Sequence, residues 1–152
     1  MKPHQISLSE LEGRWYIVLS NFPMWLKGDK TNPSLNYKVE QNGAITGLRD
    51  EVISWKRGKQ QSIIGFDTPL DGTNARFIWR GKGLLRLLQS AWEIVYMDTA
   101  NEWAIIHFEK TLFTPEGYDV VARNKHLSPQ TLELIHLKLS EIGIKTTLSA
   151  IS

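Results

Sequence analysis

Gly13-Arg14-Trp15-Tyr16 runs straight into Ile17-Val18-Leu19-Ser20, so a glycine and a tryptophan open an apolar strand near the start of the chain. Alone, the tetrapeptide is a common way to begin a strand. Its meaning comes from a distant partner, Val120-Val121-Ala122-Arg123, an apolar strand that ends in arginine just before a helix. Together they suggest a closed barrel whose bottom is plugged by a guanidinium lying on an indole. Closure also removes exposed sheet edges.

Outward from that pair, turn signals at short spacing predict a run of strands. Ser7-Leu8-Ser9-Glu10-Leu11 reads as a helical turn capped by Ser7, with Glu10 completing a capping box, and a first strand follows over 13–20. Residues 21–34, with Pro23, Gly28, Asp29 and Pro33, read as a long loop whose tip, Met24-Trp25-Leu26, folds over something. Leu35, Tyr37 and Val39 alternate with polar neighbours, and Asn42-Gly43 marks a hairpin. Further strands are expected over about 44–55, 61–66, 75–80, 91–98, 102–109 and up to Arg123, with 81–90 an apolar loop. A helix spans 129–142, capped by Ser128, begun by Pro129 and stopped by Gly143. Leu132, Ile135, Leu139 and Ile142 form its apolar stripe, with Leu134 and Leu137 beside it. A last strand is expected over about 144–150. The fold class is all-β: an eight-stranded antiparallel up-and-down β-barrel, one C-terminal helix packed outside, and a short final strand, in a single domain over 1–152.

Composition narrows the function classes. The 152 residues can bury a real core, and 41% apolar with 22% charged is ordinary for a folded, soluble chain. A formal charge of +2 is too small to imply nucleic acid. Cysteine is absent, which removes disulfides and thiolate metal sites and leans towards a reducing compartment. The N-terminus shows no signal-peptide pattern and no segment has the length of a membrane span, so the chain as written reads as cytoplasmic. A targeting segment ahead of it would instead place it in the periplasm or at a membrane.

The order of elements resembles the lipocalin family. Three blocks carry the likeness: Gly13-Arg14-Trp15-Tyr16; the turn Asp98-Thr99-Ala100-Asn101, where the family's D-x-x-Y keeps its aspartate and Asn101 replaces the tyrosine; and Arg123 followed by Leu127-Ser128-Pro129. The last block is similar to bacterial and apolipoprotein D-like lipocalins. The resemblance covers residues 11–150. It implies that Gly13, Trp15, Asp98 and Arg123 close the barrel, that residues 21–34 form a lid, and that a small hydrophobic ligand is carried inside.

No catalytic constellation is evident. His4, His107, His126 and His136 lack metal-ligand spacing, and neither a metal nor a cofactor is expected. Strand alternation from Trp15 instead predicts an apolar interior. Ile17, Leu19, Tyr37, Val39, Phe77, Trp79, Ile94, Tyr96, Ile106 and Phe108 are its ligand-binding candidates, with Trp25 at the lid. Tyr37 and Tyr96 supply polar contacts. Counting by twos from Ile45 puts Arg49 inside, able to pair with a ligand carboxylate; a bulge or another register sends it to solvent. Asp119 has the same ambiguity. The expected ligand is a fatty acid, lysolipid or similar molecule, bound by a monomer or weak dimer. Two alternatives stand beside this carrier. One is an isomerase or lyase using Arg49, Tyr37, Tyr96 and Asp119. The other is contact with a protein or a membrane surface through the 24–26 and 84–88 loops, where Lys82 and Arg86 flank the leucines.

Overall fold

A computed structural model describes residues 5–152; His4 lies outside them. Eight antiparallel strands close a barrel: β1 (Gly13–Ser20), β2 (Thr31–Asn42), β3 (Ile45–Lys56), β4 (Lys59–Pro69), β5 (Arg76–Gly81), β6 (Gln89–Met97), β7 (Trp103–Phe108) and β8 (Gly117–Ala122). Each pairs with the next in sequence, and β1 pairs with both β8 and β2. The first half of β1 holds β2, with Gly13 opposite Tyr37 and Trp15 opposite Leu35. Where that pairing ends, the short β9 (Ser149–Ala150) takes the vacated edge opposite Leu19 and Ser20.

Several local expectations shift. Ser7 does not cap the first turn; its hydroxyl meets that of Ser9 at 2.8 Å. The long loop at 21–34 contains a short helix, α1 (Pro23–Leu26), because Pro23 at the first helical position is already set for it, and β2 starts at Thr31. The apolar loop at 81–90 holds a single 3-10 turn, Gly83–Leu85, before β6 begins. The last strand is two residues long rather than seven.

Two hydrophobic clusters divide the molecule. The inner one fills the barrel, with Trp15, Ile17, Leu35, Tyr37, Leu48, Phe77, Trp92, Ile94, Ile106 and Val121. The outer one lies beneath α2 (Pro129–Ile142), whose Ile135 and Leu139 pack on Val18, Leu19, Trp103, Ile105, Val120 and Ala122. The Ser128 hydroxyl accepts from the Thr131 N–H at 3.1 Å, and Gly143 closes the helix at φ 90°. The buried stripe is narrower than the sequence pattern. Leu134, Leu137 and Ile142 are exposed, because a helix touching a convex barrel wall buries only its line of contact.

The bottom is sealed. Trp15 is buried and donates its indole N–H to the Leu11 carbonyl at 2.9 Å. The Arg123 guanidinium carbon lies 3.6 Å from the centre of the indole. Its nitrogens donate to the carbonyls of Glu12 at 2.8 Å and Glu10 at 2.7 Å. Gly13, at φ 101°, leaves room for that guanidinium: a Cβ there would stand 3.2 Å from it. The Asp98 carboxylate accepts from the Glu102 N–H at 3.3 Å, holding the β6–β7 turn. Asn101 takes a left-handed conformation, φ 59°, that asparagine tolerates, and its amide reaches the Glu10 carbonyl at 2.9 Å. That hydrogen bond ties the turn to the plug from the position where the lipocalin pattern has tyrosine.

Candidate functional site

Above the plug the barrel opens into a cavity of about 540 Å³. Ile17, Tyr37, Trp79, Trp92 and Phe108 line it from the strands, and Trp25 reaches it from α1. Its aromatic wall is continuous. Trp92 stacks on Phe77 at 4.5 Å and on Tyr37 at 5.8 Å between ring centres, and Phe22 meets Phe108 edge-on at 5.5 Å. Trp79 lies against Gly65 of β4, where any side chain would collide with the indole.

Of the residues expected to meet a ligand, Ile17, Trp25, Tyr37, Trp79 and Phe108 border the cavity. Phe77, Ile94 and Ile106 are buried below it as packed floor, and Val39 is half-buried against the same cluster. Three others lie elsewhere. The pairing of β1 with β8 skips Val18, so Leu19 turns outward under α2 and Ser20 turns in. The pairing of β6 with β7 skips Val95 in the same way, and Tyr96 packs outside against Trp103, with the Lys138 ammonium 4.5 Å from its ring centre. One extra residue on one strand reverses every side chain beyond it. Arg49 faces outward and pairs with Glu51 at 3.3 Å. The count from Ile45 started on the wrong face: Leu48, Asp50, Val52 and Ser54 are the inward set. The polar group imagined for catalysis is therefore not brought together, since Arg49 and Tyr96 are outside while Tyr37 and Asp119 are inside.

Two acids that the sequence reading does not single out, Asp50 and Asp67, are buried together with Asp119. Asp50 stands opposite Tyr37 across β2–β3, Asp67 stands opposite Leu48 across β3–β4, and Asp119 stands opposite Ser20 across β8–β1. They are 5%, 0% and 2% exposed. Burial pushes the Asp119 carboxyl up to about 7, partly offset by the Ser20 hydroxyl. Burial pushes Asp50 up to about 6 despite its pairing with Asp67. Asp67 is raised well above the carboxylate range by burial and by the charge of Asp50, although the Trp92 indole N–H donates to it at 3.0 Å. Burial and the three acids together push the Tyr37 phenol up. Among the described residues, no group of three or more His, Asp or Glu is placed to share a metal ion. A signal for Asp50 was present. Cross-strand partners share a face, so an inward Tyr37 in a tight hairpin at Asn42-Gly43 requires an inward position 50.

Three apolar segments ring the mouth: Met24 and Leu26 of α1, the leucines at 84–88, and Leu112-Phe113, which the sequence reading had passed over. Leu85 and Leu88 are half-buried at the opening, Leu87 and Leu112 border it while 91% and 95% exposed, and Leu84 is fully exposed.

No protein-family profile matches the sequence, and no curated protein sequence does. Solved structures do match in shape. Insecticyanin from the tobacco hornworm Manduca sexta superposes with a TM-score of 0.73 at 13% identity, over 100% of this chain and 84% of that one. The cockroach allergen Per a 4 gives 0.71 at 11% identity, over 100% and 91%. Lobster apocrustacyanin A1 gives 0.66 at 13% identity, over 94% and 77%. These are lipocalins, and the chain has the lipocalin fold. At such identities the likeness describes the fold alone and does not support the bacterial or apolipoprotein D-like subgroup.

Proposed function

We propose that this chain binds and carries a small, largely apolar molecule inside the barrel. The observation that carries the reading is the cavity itself, about 540 Å³, walled by aromatic rings above the Trp15–Arg123 plug. A pocket of that kind removes most of a small ligand's surface from water. Burial gains roughly 25 cal/mol per Å² of apolar area, set against the cost of association. The lipocalin fold supports the same role. Trp25, Trp79 and Trp92 border the cavity, so titration with neutral apolar molecules, aliphatic alcohols and ring compounds alike, should quench tryptophan fluorescence saturably. Absence of any saturable change across both series overturns the proposal.

A second reading concerns the rim. Residues 54–62 and 80–90 carry Lys56, Arg57, Lys59, Arg80, Lys82 and Arg86 and no acidic residue, beside fully exposed leucines. Exposed apolar side chains interleaved with cations suit the surface of an anionic bilayer, where each basic residue adds about 1 kcal/mol. The mouth would then load from or deliver to a membrane without its ligand crossing open water.

A further inference from the structure

A container for purely apolar molecules has no need of acids in its wall, yet this one buries three. Among the described residues, no lysine, arginine or histidine pairs with Asp50, Asp67 or Asp119. Asp50 Oδ1, Asp67 Oδ2 and Asp119 Oδ1 have no hydrogen-bond donor. Asp50 and Asp67 lie side chain to side chain, and burial together with their mutual approach favours holding a proton on the pair. Asp119 stands apart from them on β8 with only the Ser20 hydroxyl beside it. Asp50 and Asp119 both border the cavity, as do the rings of Tyr37, Trp92 and Phe108. Among the described residues, Lys30 is the one cation on the cavity wall, and it belongs to the mouth segment between α1 and β2.

Unpaired carboxyls set among aromatic faces are the two kinds of group that recognise a nitrogen cation: the first by charge-assisted hydrogen bonds, the second by the negative face of the ring. We propose that the barrel is selective for apolar amines, the protonated nitrogen seated between Asp119 and the Asp50–Asp67 pair and the apolar body directed towards Trp79, Trp25 and the mouth. The proposal rests on the carrier reading and gives it a ligand class. It also reverses the head-group expected from the sequence. A fatty acid entering head first brings a fourth carboxyl to three that have no cationic partner and one donor-less oxygen each, whereas an ammonium supplies both the donors and the charge. Nor does the outer surface explain such a preference, because the basic rim repels a cation.

Isothermal titration of the intact protein at pH 7.5 with decylamine, decanol and decanoate, each below its aggregation threshold, tests this with the chain length held constant. The amine should bind about ten- to a hundredfold more tightly than the alcohol, and the acid most weakly. Asp119→Asn and Asp50→Asn should each lower amine affinity about tenfold and narrow the amine-over-decanol preference by a similar factor. Both replacements keep the shape of the side chain and remove a buried charge, and a thermal melt no lower than wild type shows the fold intact. If decanol binds and the amine binds no more tightly, the amine site is wrong and the carrier reading stands. An amine preference unchanged in both variants removes these carboxyls from the site. If none of the three binds, both readings fall together.

Discussion

Asp119 carries a consequence for stability as well as for ligand choice. Its carboxyl titrates at about 7 in the folded protein against an ordinary value of 3.8, and Asp50 at about 6 shifts in the same sense. Between these values the native state holds protons that the unfolded chain has released, and Asp67 is shifted in the same sense, so the stability these carboxyls contribute is present in acid and is lost as pH rises to about 7 and beyond. Asp29, Glu51 and Asp71 shift the other way, and what they contribute is lost only as pH falls through the ordinary carboxylate range. The melting temperature should therefore be roughly 5–10 °C higher at pH 5 than at pH 8, from a change on the order of a few kcal/mol. Asp119→Asn should flatten most of that slope, and an unchanged slope would show that the carboxyl does not titrate as described. Arg123 acts at the opposite end. Arg123→Met removes the cation from Trp15, strips the Glu12 carbonyl of its side-chain donor and leaves the Glu10 carbonyl with the Asn101 amide alone, which should cost about 2–4 kcal/mol in urea unfolding. Decanol affinity should stay within about twofold, because the plug lies below the cavity.

At the scale of elements, α2 is the part most fully legible from sequence: a serine cap, a proline at the first position and a terminal glycine bound it at both ends. Ser128→Ala should cost about 1 kcal/mol of stability by freeing the Thr131 N–H, measured by the shift of a denaturant midpoint. The strands were legible as strands because their alternation and turns are local. Their faces were legible only up to a bulge. Nothing in Ile17-Val18-Leu19 or Ile94-Val95-Tyr96 distinguishes a bulged residue from a paired one, since all six are apolar or amphipathic and suit either side of a wall covered on both faces. Leu19 and Tyr96 were lost for that reason. Asp50 and Asp67 were lost for another: an acidic residue in a strand is ordinarily read as facing solvent, and only the hairpin register overrides that reading. The fold therefore followed from a few spaced motifs, while the chemistry of the cavity depended on parity carried across strand pairs.

For the molecule as a whole, the two ends differ in kind. One is sealed by an arginine on a tryptophan and bound to carbonyls; the other is a ring of exposed leucines, Phe113 and cations. The protein should sediment with vesicles containing phosphatidylserine and not with vesicles of phosphatidylcholine alone, and 0.5 M salt should weaken that binding. Leu87→Glu should abolish it without changing the melting temperature by more than about 2 °C, since that side chain touches little. Equal binding to both vesicle types would remove the electrostatic part of the reading. On the proposed carrier role, the sealed base would also govern how contents are exchanged. With a single doorway, an incoming molecule cannot push a resident one out from behind, and the resident must depart first. In a stopped-flow chase, the replacement rate should level off at the departure rate and stay there however much competitor is added. A rate that keeps climbing with competitor would mean a second door.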